Sequence, residues 1–266
     1  MARILLSVGV TLLLLEFPLV PVPVSAQAPV TVSIDAPAEV APDSHFTARV
    51  DITEVLDFDA CQFDVTYDPN VIELTDVTGG EIGGTTIPID MWGFIPPGEQ
   101  GKARVIGNVP GVPGVSGSGY LAELHFHVVG SPGDISDIEL SNGVLGDKDA
   151  DPITPVTWVG DSVAVKGPPV ADADGPYSGD RTGMVTLDGS DSYDPDGTID
   201  NYEWQVDGAQ VYSGPSATYD LALSGYSSGT HAVKLIVTDN DGATDDDTTT
   251  LTVSNAPPVA LSLIHI

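Results

Sequence analysis

The densest coordination chemistry in the sequence lies in two short acidic turns, Asp194-Pro195-Asp196-Gly197 and Asp239-Asn240-Asp241-Gly242. Calcium takes six to eight hard oxygen ligands on flexible loops, which Asp carboxylates and turn carbonyls supply. Asp194, Asp196, Asp239 and Asp241 are therefore the candidate ligands of a Ca2+ ion. The same residues also make good plain turns, and Lys166-Gly167, just ahead of this half of the chain, offers no side-chain oxygen. Asp147-Lys148-Asp149-Ala150-Asp151 looks like half of an EF-hand loop but lacks the glycine and the distal glutamate. His125 and His127 alternate on one strand face, a spacing open to a metal and equally open to two ordinary strand residues. Ser116 and Ser118 sit in a Gly-rich run without the strand-turn-helix context of a nucleophile elbow. A glycosidase needs two carboxylates fixed on opposite sides of a bond, one with a raised pKa. Nothing selects such a pair among 39 Asp and Glu residues, so no catalytic residue is assigned and the chain reads as non-enzymatic.

The charge balance narrows the partners. Only 8 Lys and Arg stand against those 39 acids, giving a formal charge of −31. Such a field repels nucleic acid phosphates and anionic lipid surfaces. It also keeps an extracellular protein soluble. The one cysteine, Cys61, excludes an intramolecular disulfide and reads as a small packed residue.

The elements that must position these residues are short strands. Val30 to Ile34, His45 to Ile52 and Cys61 to Tyr67 alternate in polarity. Phe63, Val65 and Tyr67 fall on one face of the last, and Gln62, Asp64 and Thr66 on the other. Further strands are expected over Lys102 to Ile106, Tyr120 to Val129, Ile135 to Leu140 and Trp158 to Val165. Turn signals separate them, among them Asp68-Pro69-Asn70, Gly79-Gly80, Gly83-Gly84 and Pro96-Pro97-Gly98. Trp92 and Phe94 suit either an exposed strip for sugar stacking or core packing. A second all-β segment has strands near Met184 to Leu187, Ile199 to Val206, Ala217 to Leu221, His231 to Thr238 and Thr248 to Val253. This pattern predicts a sandwich or barrel, followed by a second all-β domain.

Met1-Ala2-Arg3, the apolar run Ile4 to Leu15 and Val24-Ser25-Ala26 form a secretory signal over residues 1–26. No other segment is apolar enough to insert in a membrane, so the mature chain is expected to be secreted, extracellular or on a cell surface. The first domain is placed at 29–166. Lys166-Gly167-Pro168-Pro169 marks a stiff boundary, and the second domain occupies 167–254. Pro168-Pro169-Val170-Ala171 recurs as Pro257-Pro258-Val259-Ala260, a spacing of 89, so residues 255–266 read as the start of another copy. The final Leu261-Ser262-Leu263-Ile264-His265-Ile266 back-translates to a sequencing-adaptor-like transposon end and reads as an artefactual tail, the alternative being a genuine strand.

Two stretches carry family resemblances. Asp188-Gly189-Ser190-Asp191-Ser192-Tyr193-Asp194-Pro195-Asp196-Gly197, then Tyr202-Glu203-Trp204, then Val237-Thr238-Asp239-Asn240-Asp241-Gly242 closely resemble a polycystic-kidney-disease (PKD) domain. The resemblance implies an immunoglobulin-like sandwich with Trp204 buried, and calcium bound by the two acidic turns in some members. Gln205-Val206-Asp207-Gly208 departs from the family's Asp-Phe-Gly-Asp-Gly turn, which puts the local hairpin in question. Residues 29–166 resemble a cohesin domain through Cys61-Gln62-Phe63-Asp64-Val65-Thr66-Tyr67-Asp68-Pro69-Asn70-Val71-Ile72-Glu73-Leu74, Gly119 to Phe126 and Leu140 to Asp147. This resemblance implies a nine-stranded jelly-roll sandwich that binds dockerin modules, with related folds binding polysaccharide. Well-studied dockerin binders place Asn and Asp where Ala60 and Gln62 stand, so the expected partner is a different dockerin type or not a dockerin.

The fold expected is all-β, a cohesin-like jelly-roll β-sandwich followed by an immunoglobulin-like PKD β-sandwich. The function expected is non-catalytic scaffolding and adhesion in an extracellular polysaccharide-degrading system. Gln62, Asp64 and Thr66 are the candidate partner-binding residues, facing a dockerin-bearing protein. The alternatives are direct carbohydrate binding and the non-catalytic front of a secreted hydrolase.

Overall fold

The computed structural model describes residues 29–111 and 114–255 of the chain. The signal segment 1–26 and nearly all of the partial repeat at 255–266 lie outside them.

The first domain is built from β1 (Val30–Asp35), β2 (Glu39–Val40), β3 (His45–Thr66), β4 (Ile72–Ile82), β5 (Thr85–Ile87), β6 (Ile89–Phe94), β7 (Lys102–Asn108), β8 (Val115–Val128), β9 (Ile135–Asp147), β10 (Val156–Val159) and β11 (Asp161–Val165). These eleven strands are two more than the nine implied by the resemblance, and two of them are very short, β2 with 2 residues and β5 with 3. The two stretches expected as separate strands around residues 45–52 and 61–67 are one 22-residue strand, β3. Its first half pairs with β1 and β8, and its second half with β7 and β9. The register slips between Ile52 and Phe58, and Asp57 adopts φ 53° there. Bulges bend and twist a strand in this way, so β3 passes from one sheet to the other. One sheet then runs β10-β1-β3-β8-β4-β5 and the other β2-β11-β9-β3-β7-β6.

Alternation along these strands fills the space between the sheets. Phe58, Phe63, Ile72, Leu74, Leu121, Leu124 and Phe126 are almost wholly buried there. Each such side chain contributes roughly 1.5–3 kcal/mol relative to exposure. Gly79-Gly80, expected as a turn, lies inside β4. A Cβ on Gly80 would sit 2.0 Å from the Tyr120 carbonyl oxygen, and one on Gly79 2.5 Å from that of Ile87. The glycines serve close strand approach, and the reversal falls at Gly83-Gly84, with φ of +55° and +82°.

The second domain comprises β12 (Tyr177–Asp180), β13 (Met184–Asp188), β14 (Ile199–Val206), β15 (Ala209–Gly214), β16 (Thr218–Ala222), β17 (Gly229–Asp239) and β18 (Thr244–Ser254). The sheet β12-β18-β17-β14-β15 faces the pair β13-β16. Trp204, Leu187, Leu223, Val233, Leu235 and Leu251 are fully buried between them. Asp207-Gly208 closes the β14–β15 hairpin with φ of 50° and 80°, so the departing residues still make a tight turn. Asp245 and Asp247 accept hydrogen bonds from the backbone of Ala171 and Ala173 at 2.9 Å, pinning the entering segment to β18.

Candidate functional site

The second half of β3 sits at the centre of an open sheet face, between β9 and β7, with β6 beyond. Phe63 and Val65 turn inward, so Gln62, Asp64 and Thr66 share the outward parity, as their alternation predicts. The cross-strand register sets out rows on this face. Val144, Gln62, Ile106 and Met91 align across all four strands. Val144 and Met91 are 54% and 60% exposed, unusual for large apolar side chains, and Gln62 and Ile106 are half-buried. Thr66 is exposed and lies beside Lys102 and Glu139.

Asp64 does not play the part expected of it. Its side chain is 0% exposed. Arg104 Nε donates to Oδ1 at 2.6 Å, and Arg104 and Asn142 donate to Oδ2 at 3.0 and 2.8 Å. Lys102 Nζ lies 3.1 Å from the same oxygen. The Arg104 guanidinium first, then Asn142 and Lys102, hold the carboxyl well below the usual carboxylate range against the opposing effect of burial. Asp64 is thus a neutralised anchor under the face, with the part-exposed Lys102 and Arg104 above it. The correction has a local cause: β9 bulges opposite Gln62 and Asp64, and Asn142 there takes φ 52°, which brings its amide over the carboxylate.

Beside the apolar row lies a depression of about 560 Å³, floored by Ala60, Gln62, Ile106 and Val144 and rimmed by Asp59 and Asp90. Cys61 is buried beneath it, and burial pushes its thiol up to about 12. Sequence reasoning missed Met91, Ile106 and Val144, because each lies on another strand that only the register brings onto the face shared with β3. The one available signal was an apolar Ile106 at the outward parity of β7. Trp92 and Phe94 are half-buried against the core, edge to face at 5.7 Å, the packing alternative of the two weighed for them.

The remaining candidates make local contacts. His125 bridges Thr47 and Thr78 at 3.1 and 3.0 Å, while His127 reaches Asp43 at 2.9 Å and stacks on His45. Asp147 accepts from the backbone of Asp149 and Asp151, closing its own loop. At the acidic turns, Asp239 Oδ1 accepts from Asp241 and Ala243, and Asp194 Oδ1 from Asp196. Among the described residues no group of three or more His, Cys, Asp or Glu side chains is arranged to hold a metal ion.

The family model of the cohesin domain matches residues 30–165, just over half of the chain. The chain belongs to the cohesin family. A second model, the K319L-like PKD domain, matches residues 181–253. Both families are non-catalytic binding or structural modules, and the cohesin domain is a partner-binding one. The solved structures similar to the cohesin domain include a non-cellulosomal cohesin from the archaeon Archaeoglobus fulgidus, 21% identical, covering 53% of this chain and 93% of that one at TM-score 0.44. Another is the third cohesin ScaC of Acetivibrio cellulolyticus, solved in complex with the ScaB dockerin. It is 16% identical, covering 51% of this chain and 98% of that one at TM-score 0.44. The fibronectin(III)-like modules of Clostridium thermocellum CbhA match over 88% of this chain and 100% of theirs, at 18% identity and TM-score 0.32. Among the described residues no helix is long and apolar enough to cross a membrane.

Proposed function

We propose that this chain is a secreted scaffolding and adhesion protein whose cohesin domain docks a dockerin-bearing partner in an extracellular polysaccharide-degrading system. The PKD domain serves as a spacer or further adhesion module. The observation that carries the reading is the row Val144-Gln62-Ile106-Met91 on an open face, two of its members more than half exposed. Exposed apolar groups in register across four strands offer a flat surface that a partner can dry, and such centres dominate binding energy. Lys102 and Arg104 border the row in a chain with only 8 such residues. They suit a partner ridge that carries carboxylates beside its apolar contacts. Ala60 and Gln62 stand where well-studied dockerin binders carry Asn and Asp, which points to a different dockerin type or to a partner that is not a dockerin.

The test is calorimetric titration of the full chain with a panel of purified dockerin modules of several types. One or more is expected to bind, and Val144→Asp together with Met91→Asp weakens it by about tenfold or more. Absence of binding across the panel, with retention on insoluble polysaccharide instead, defeats the reading.

A further inference from the structure

The junction between the two domains is organised by one residue. The backbone N–H of Lys166 donates to the carbonyl of Val40 in β2 at 2.8 Å, which places this residue in the hydrogen-bonding of the cohesin domain. Its side chain points the other way, into the acidic turns of the PKD domain. Lys166 Nζ lies 2.9 Å from Asp241 Oδ2, 3.8 Å from Asp196 Oδ2 and 3.4 Å from the Asp196 carbonyl oxygen. The next residue, Gly167, donates its N–H to Asp196 Oδ2 at 3.1 Å. The Asp196 side chain is only 3% exposed, so these are the donors that a nearly dehydrated carboxylate requires.

The turn that joins β8 to β9 completes the joint. A Cβ on Gly167 would sit 2.5 Å from Pro132 Cγ, and one on Gly133 3.1 Å from the Pro195 carbonyl oxygen. Gly133 also donates to the Val165 carbonyl at 2.9 Å. The turn of one domain thus rests on the acidic turn of the other, with Lys166 and Gly167 between them.

We infer that the Lys166 ammonium is the resident cation of the acidic turns and that it fixes the PKD domain to the cohesin domain as one rigid unit. A calcium ion fits these residues poorly. It requires six to eight oxygens within about 2.6 Å, whereas Asp239 Oδ1, Asp194 Oδ1 and Asp196 Oδ2 are each engaged by backbone N–H groups, and Asp194 Oδ2 alone is buried without a hydrogen-bond partner among the described side chains of these turns. What the turns present is a site for a single positive charge with several donors, and an ammonium supplies that. The sequence repeat agrees that the device belongs to this joint: at the spacing of 89 residues, Asn255 takes the place of Lys166.

The test is nuclear magnetic resonance on the weakly aligned full chain, with residual dipolar couplings collected separately from the strands of each domain. The wild type is expected to give one common alignment tensor. Lys166→Met and, from the opposite side, Asp241→Asn are each expected to give two, while unchanged strand chemical shifts show that both domains remain folded. Wild-type amides of Asp196, Gly197 and Asp241 are expected to stay unmoved by calcium chloride up to about 1 mM, the weak end of extracellular calcium sites. Two tensors in the wild type, a common tensor in both variants, or saturable calcium shifts in the wild type overturns the inference. None of these readouts depends on a dockerin, so docking and the joint stand or fall separately.

Discussion

Replacing Asp64 by Asn tests whether the centre of the docking face is held by charge. Four contacts converge on this carboxylate: one donor at Oδ1 and three at Oδ2. Asn keeps the shape but retains one acceptor oxygen. If that oxygen faces Lys102 and Asn142, the new amide N–H groups face Arg104 Nε, and the reverse orientation confronts the three donors at the other position. Removing one partner of a buried ion pair costs about 3–5 kcal/mol. Here Lys102 and Arg104 are 34% and 39% exposed, so water and salt relieve part of the loss. A cost of about 1–3 kcal/mol remains, or roughly 5–10 °C in the Tm of the cohesin transition at neutral pH. The pH dependence gives a second handle. A folded-state pKa below the unfolded one contributes stability that is present above the unfolded value, about 3.9 for Asp. It is lost as pH falls further, so the gap between wild type and Asp64→Asn is expected to narrow below about pH 4. Scanning calorimetry of both proteins at several pH values measures this. Equal Tm at neutral pH, or a gap that widens in acid, refutes the argument.

Two further outcomes follow from the same geometry. His231 Nδ1 meets Asp207 Oδ2 at 2.6 Å and Nε2 meets the Ser227 carbonyl at 2.9 Å. Both partners only accept, so both contacts are satisfied together by the protonated ring; Asp207 chiefly, then Ser227, raises its pKa. A raised folded pKa gives stability that is complete below about pH 6.5 and lost as pH rises through the folded value. The PKD transition is therefore expected to fall in Tm as pH rises above about 6.5, and His231→Gln to flatten that slope; a flat wild-type profile contradicts the reading. Gly143→Ala would set a methyl 2.1 Å from the Trp158 ring, which packs near Phe63. The indole must leave its seat, so a loss of about 1–3 kcal/mol and a changed tryptophan fluorescence are expected; an unchanged melt and spectrum contradict it.

Much of the fold was legible because its strands are half-buried and period two survives wherever one face is wet. β14 was readable over its full length for that reason, from Ile199 to Val206. Where a bulge breaks the period the signal fails: β4 slips register between Leu74 and Asp76, and its paired glycines read as a turn. β15 escaped notice although Asp207-Gly208, a strong hairpin signature, stands at its start. The parity of Gln62, Asp64 and Thr66 was readable, but the burial of Asp64 was not. Cover comes from Arg104 and Asn142, 40 and 78 residues away in sequence, and alternation carries no information about such contacts.

Both domains bring an early strand and a late strand together in parallel. β1 runs beside β10 from Val30 and Val156 onward, and β12 runs beside β18 from Tyr177 and Leu251 onward. A pull on the chain from either side of the second domain draws β12 and β18 past one another lengthwise. Their rungs then bear the load at once, where an antiparallel hairpin pulled from its open end would give way rung by rung. Tension along that pair is resisted as friction between rails and not as the opening of a zip.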